Sequence, residues 1–170
     1  DVAARYGAVV DFYEVWNEPG WDRDSEVYQL FGTYHFGGQV ETDYLPLLQE
    51  GYEAIKESDP SGIVICGALM STLEDDPEVG TELYTDLFAN GDFAAACDMV
   101  SVHPYKMPGN WGPFYANLSQ VMSSMGVDKE LVVTEVGWPH YRDGDPETFS
   151  EQQQADAIGD WGIGPLRDAG

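Results

Sequence analysis

Apolar residues in this chain follow two spacings in turn. Short runs rich in β-branched and aromatic side chains, from Val9 to Trp16, Ile63 to Gly67, Met99 to His103 and Leu131 to Thr134, read as strands. Between them apolar residues recur every three or four positions, the spacing of a helix with one buried face. The clearest such stretch has Tyr44, Leu47, Leu48, Tyr52 and Ile55 on one face, with Asp43 placed to cap its start and Asp59-Pro60 to end it. A second, about Val79 to Ala89, presents Leu83, Leu87 and Phe88 and stops before Asn90-Gly91. A third, roughly Phe114 to Met125, aligns Phe114, Leu118, Val121, Met122 and Met125. Ser150, with Gln153 three residues on, has the form of a capping box that opens a last helix. A long loop from Glu18 to about Glu41 carries several aromatic residues.

Strand and helix alternating four times predict an α/β domain with a parallel sheet and right-handed crossovers. A doubly wound sheet usually carries a Gly-rich phosphate loop after a strand, and none of the four strands is followed by one. Aromatic and carboxylate residues instead gather at the C-terminal ends of several strands, where a (β/α)8 barrel builds its active site.

The residues with the most chemical content are Glu18, at the end of the first strand, and Glu135, at the end of the fourth. They lie 117 residues apart, or 39 per βα unit over three units, which puts both at one height of a barrel mouth. Two carboxylates at a common mouth are what cleavage of a glycosidic bond requires: one gives a proton to the leaving oxygen, and the other stays ionised to attack the anomeric carbon or activate water. Asn17 offers a neutral amide to a sugar hydroxyl. Trp21, Trp111 and Trp138 offer flat apolar faces on which a sugar ring can stack, whereas Trp16 and Trp161 read as packing residues. Glu14 shares the first strand but has neither an Asn before it nor a Pro after it, and is expected to be a lower-barrel or interface carboxylate.

Asn17-Glu18-Pro19, His103-Pro104-Tyr105 and Thr134-Glu135-Val136-Gly137-Trp138, in this order and spacing, resemble the signature of the clan GH-A retaining glycoside hydrolases. The resemblance implies that Glu18 is the general acid/base and Glu135 the nucleophile of a double displacement, with no cofactor and no metal. It implies that Asn17 binds the hydroxyl next to the reacting carbon, that His103 and Tyr105 orient the nucleophile and touch substrate, and that Trp138 walls a sugar subsite. A retaining mechanism places the two carboxyl groups about 5 to 5.5 Å apart. The substrate implied is a β-linked oligo- or polysaccharide, and the enzyme is expected to be secreted or extracytoplasmic. The four strands correspond to the fourth to seventh of such a barrel. All 170 residues are therefore expected to form one partial catalytic domain, a half-barrel that starts and ends inside a longer enzyme. The alternative is an inert half-barrel that binds sugar weakly or associates with itself.

Composition narrows this further. Seven basic against 31 acidic residues give a formal net charge of −24. The Lys and Arg residues are scattered, which excludes the clustered cations that nucleic acid needs. No apolar run approaches the roughly 20 residues of a membrane-spanning helix. Cys66 and Cys97, 31 residues apart in apolar surroundings, read as buried free thiols rather than a disulfide framework or zinc site. Glu74-Asp75-Asp76 lacks the spaced oxygen ligands and central Gly of an EF-hand loop, and His35 and His140 read as loop residues. The oligomeric state stays open. The acidic excess fits a surface adapted to high salt, where screening shortens to about 3 Å at 1 M and tolerates self-repulsion. Unfolding free energy, followed by circular dichroism, is expected to rise from low to molar salt; a steady fall would overturn that adaptation.

Overall fold

The computed structural model describes residues 2–19, 40–68, 84–85, 87–103, 111–137 and 150–159. In chain order they form α1 (Val2–Tyr6), β1 (Phe12–Val15), a π-helical turn (Val40–Tyr44) that runs straight into α2 (Leu45–Ser58), β2 (Ile63–Cys66), α3 (Gly91–Ala95), β3 (Met99–Val102), α4 (Trp111–Ser124), β4 (Glu130–Val133) and α5 (Glu151–Ala157). The strands pair in sequence order, β1-β2-β3-β4, and every pair is parallel. Neighbouring parallel strands need a crossover between them, so the βα rhythm of the sequence becomes a four-stranded parallel sheet of an α/β fold. Among the described residues no helix is long and apolar enough to cross a membrane.

Strand alternation sorts the side chains. Cys66 of β2 and Val100 and Val102 of β3 are fully or almost fully buried under the helices. They pack with Tyr44, Leu45 and Leu48 at the start of α2, with Tyr84, Leu87 and Phe88, with Phe93 of α3, and with Leu118 and Met122 of α4. Both cysteines are free and buried within this core. The opposite face carries Glu14, Ser101 and, just past the strands, His103 and Thr134, whose side chains are hydrogen-bonded to one another.

Several element boundaries and faces differ from expectation, each for a local reason. β1 begins at Phe12 rather than Val9, because the amides of Val9 and Val10 both turn back to the Tyr6 carbonyl. Asp43 does not cap α2: the chain enters the helix through a π turn with Tyr44 already helical, and Asp43 accepts from Thr42 instead. The buried stripe of α2 is Tyr44, Leu45 and Leu48, and Leu47 faces outward. Met125 lies past the end of α4 and is exposed. Asn90-Gly91 does not simply end a helix, since the Asn90 side chain accepts from the Asp92 amide and starts α3. Trp16, expected to pack, is 45% exposed. The capping box of Ser150 and Gln153 is formed in full, and Asp59, extended before Pro60, closes α2.

Two sets of polar contacts hold the sheet at its two ends. At the end where the strands begin, Lys56 of α2 pairs with Asp98 at 2.7 Å and donates to the Gly62 carbonyl, while Asp98 accepts from the Val64 amide at 2.8 Å. Burial alone would raise the Asp98 carboxyl; the Lys56 ammonium and the Val64 amide outweigh it and hold that carboxyl below the ordinary carboxylate range. At the opposite end the buried Tyr44 hydroxyl donates to the Val15 carbonyl at 2.8 Å and accepts from the Gly67 amide at 2.6 Å. A β-carbon at Gly67 would sit 2.7 Å from the Trp16 carbonyl oxygen, so this crossing of backbones requires glycine.

Removing the Tyr44 hydroxyl leaves the Val15 carbonyl and the Gly67 amide only their own longer bond, of 3.2 Å. Tyr44→Phe is expected to cost about 1–3 kcal/mol, read as a lower midpoint in urea unfolding at an unchanged slope. The Asp98 carboxyl is held lower in the folded state than in the unfolded one, so its contribution is present above about pH 4 and is lost as pH falls. Asp98→Asn should therefore lower stability by on the order of 1 kcal/mol at neutral pH, and the difference from the native chain should vanish in acid. A constant difference across the titration would show that Asp98 acts by packing alone.

Candidate active site

The backbone at the end of β1 is unusual. Trp16 and Glu18 both adopt left-handed conformations, with φ of +70° and +47°. Each costs about 1–2 kcal/mol for a residue with a β-carbon, and such outliers persist only where their surroundings hold them. Here the Tyr44 clamp fixes the Val15 carbonyl immediately before the first of them. The double kink takes the chain out of the strand and returns the Glu18 side chain over the end of β3.

His103 receives it. The imidazole side chain is fully buried, and its Nδ1 lies 2.8 Å from Glu18 Oε1. Its Nε2 lies 2.8 Å from Thr134 Oγ1 and 3.9 Å from Glu135 Oε1. The Glu18 side chain is 15% exposed and that of Glu135 is 43% exposed. One oxygen from each carboxylate and one nitrogen of His103 lie within 4.8 Å of one another. Sheet order explains the convergence: β1 and β4 are the outer strands of the described sheet, and the residue ending β3 bridges the gap between their ends.

Glu14 and Ser101 extend the cluster inward. Ser101 Oγ lies 2.8 Å and Thr134 Oγ1 3.0 Å from Glu14 Oε1, each within reach to donate to it, and the two hydroxyl oxygens also lie within hydrogen-bond distance of each other. The Ser101 carbonyl accepts from the buried Tyr84 hydroxyl, which fixes β3 at this point. Glu14, expected to be a remote carboxylate, is thus joined through Thr134 to His103 and so to Glu18. Period-two spacing along β1 and β3 was the available signal, since Glu14, Ser101 and His103 fall on the face away from the helices.

Of the residues singled out in the sequence, Glu18, His103 and Glu135 are brought together. Asn17 is exposed beside Glu18. Trp111 opens α4, and its side chain lies outside the described set. Trp21, Tyr105, Trp138 and Trp161 lie outside the described residues, as do Glu74-Asp75-Asp76, His35 and His140. Three donor atoms this close together could bridge a cation in principle, but both nitrogens of His103 are already committed, to Glu18 and to Thr134. An ion would have to displace one of those bonds, and the trio is better suited to sharing protons.

Comparison with solved structures bears on the fold. The chain is similar to a family 39 glycoside hydrolase from the gut symbiont Bacteroides cellulosilyticus WH2, with a TM-score of 0.59 and 22% identity, over 94% of this chain and 31% of that one. The fold is a segment of a (β/α)8 barrel. The segment spans about a third of that protein's length. A slighter similarity, with a TM-score of 0.48 and 19% identity over 84% of this chain and 41% of the other, is to xylanase 10B from Thermotoga petrophila RKU-1, solved with xylobiose. No protein-family model matches the chain, and no curated protein sequence does.

Proposed function

We propose that the chain carries the catalytic pair of a retaining glycoside hydrolase acting on a β-linked oligo- or polysaccharide. One observation carries the reading: Glu18 and Glu135, from the two outer strands of the described sheet, present oxygens within 4.8 Å of each other at the strand C-terminal ends. That spacing suits a retaining pair, whose carboxyl groups are about 5 to 5.5 Å apart, better than an inverting pair, whose groups are about 6.5 to 9.5 Å apart. The likeness to part of a family 39 glycoside hydrolase supports the barrel framework in which the pair sits.

The roles follow from surroundings. Glu18, the less exposed and bonded to an imidazole, gives its proton to the glycosidic oxygen as the bond to the anomeric carbon breaks. Glu135, the more open, attacks that carbon and forms a glycosyl-enzyme ester. Water, deprotonated by Glu18, then releases the sugar with its anomeric configuration retained. Asn17 is placed beside Glu18 to bind the neighbouring hydroxyl, and Tyr105, Trp21, Trp111 and Trp138 supply further contacts to the sugar. Secretion fits a polysaccharide substrate.

A second reading rests on the sheet. Among the described residues β1 and β4 each pair on one side only, and Phe12 and Trp16 are exposed on β1 and at its end. Unpaired strand edges favour self-association, which would make this stretch, on its own, an inert half-barrel that closes against a second copy.

Hydrolysis of aryl β-glycosides separates the two. Glu135→Gln should abolish turnover. Glu18→Gln should slow it by about 10²–10⁴-fold, least where the leaving group needs no proton, and NMR of the first-formed product should show retention. Near-normal rates in Glu135→Gln would remove the nucleophile assignment. Sedimentation that finds only an inactive dimer would favour the half-barrel reading.

A further inference from the structure

We infer that Glu14 is a positioning residue: through Ser101 and Thr134 it fixes a hydrogen on Nε2 of His103, so that Nδ1 and Glu18 are left to share a single proton. The hydrogen count carries the inference. Glu14 Oε1, Ser101 Oγ and Thr134 Oγ1 make three mutual contacts of 2.5–3.0 Å, with two hydroxyl hydrogens among them. If Thr134 turned its hydrogen toward His103, one hydrogen would remain for three short oxygen–oxygen contacts around a carboxylate. Keeping both inside the triangle makes Thr134 an acceptor toward the ring, and a ring nitrogen 2.8 Å from an acceptor must carry hydrogen.

With Nε2–H set, the 2.8 Å contact between Nδ1 and Glu18 Oε1 holds one hydrogen. It sits either on Glu18, donated to a neutral ring, or on Nδ1, donated by an imidazolium to a carboxylate. In both forms the pair owns one dissociable proton and makes a good hydrogen bond. Once that proton passes to a leaving oxygen, the Nδ1 lone pair and a Glu18 carboxylate oxygen face each other. That repulsion favours taking a proton back from the incoming water. The other tautomer would do the reverse: Nδ1–H would oppose a protonated Glu18 before the reaction and stabilise its carboxylate afterwards, leaving Glu18 without the proton the leaving oxygen needs and weakening it as a base. Among the described residues the carboxylates near the ring are Glu18 and Glu135, with Glu14 joined to it through Thr134. Cys66 of β2 and Tyr44 lie close enough to Glu14 to feel its charge.

The tautomer part of this inference stands on the hydrogen-bond geometry, and its chemical consequence rests on the hydrolase reading. The test is the ¹⁵N spectrum of the His103 ring in the native chain, in Glu14→Leu and in Thr134→Val. Glu14 is exposed, so Leu at this position disturbs no apolar packing, and Thr134→Val is a nearly isosteric second variant. Nε2 is expected to be the protonated nitrogen in the native chain and to lose that preference in both variants. Retention of Nε2–H in Glu14→Leu, or in Thr134→Val should Glu14→Leu not fold, overturns the inference. With phenyl and dinitrophenyl β-xylosides and β-glucosides, Glu14→Leu should cut kcat/KM on the order of tenfold for phenyl leaving groups and much less for dinitrophenyl ones, whose departure needs no proton. Equal losses on both would mean a merely structural effect and also count against it. A chain that hydrolyses none of these substrates counts against the hydrolase reading instead, and the ring spectrum then decides the present point alone.

Discussion

The Tyr44 hydroxyl sits between the ends of two strands, donating to the carbonyl that closes β1 and accepting from the amide that follows β2. Its burial makes that pairing obligatory, because a phenol removed from water must find partners among the backbone groups around it. Burial also pushes the phenol well above its ordinary ionisation range, so it stays a neutral donor wherever the chain is folded. With the Val15 carbonyl held, the backbone turns through two left-handed residues, and glycine at position 67 lets β2 pass beneath the Trp16 carbonyl. That clamp, the Gly67 amide's own bond to the Val15 carbonyl and the His103 contact to Glu18 together hold the turn in which Trp16 and Glu18 are left-handed.

A single imidazole then joins three strands. Glu18 reaches it from β1, Thr134 from β4, and its own backbone continues β3. Parallel pairing in sequence order puts all three strand ends on one side, so the convergence follows from topology and needs no long-range loop. The opposite side of the sheet has a different composition and task. There Lys56, Asp98 and the amide of Val64 tie α2 to the starts of β2 and β3, and Asp59 accepts from Tyr13 and Ser61. Barrels commonly divide labour this way, with chemistry at the strand C-termini and stability at the N-termini.

Much of this was legible in the sequence. Four strands and their parallel order follow from apolar spacing, and the distance from Glu18 to Glu135 places both at one end of the sheet. What the sequence hid has physical causes. Asp43 looks like a cap because Asp caps helices on average, but a π turn had already carried the chain into the helix. Trp16 looks like a core residue because it is large and apolar, yet the φ of +70° turns it out of the strand. Glu14 looked redundant because motif reading weighs immediate neighbours in sequence, Asn before and Pro after. Its partners are instead Ser101 and Thr134, 87 and 120 residues away, joined only once the sheet is assembled.

Those long separations bear on why the cluster is polar at all. Ser101 is fully buried, and an apolar residue there would pack with less cost to desolvation. A buried hydroxyl is tolerable only when its hydrogen has a fixed destination, and Glu14 supplies one. The fully buried ring of His103 has the same need on both nitrogens, met by Glu18 on one side and Thr134 on the other. Each member therefore satisfies the next, from a carboxylate on the open face to the carboxylate at the strand mouth. Removing any one of them strands a neighbour with an unpaired polar group, so the network stands or falls together. In a chain of net charge −24, carboxylate acceptors are abundant and cationic donors are scarce. Hydroxyls and a ring that can each both give and accept are what allow two carboxylates to be linked without a Lys or Arg between them.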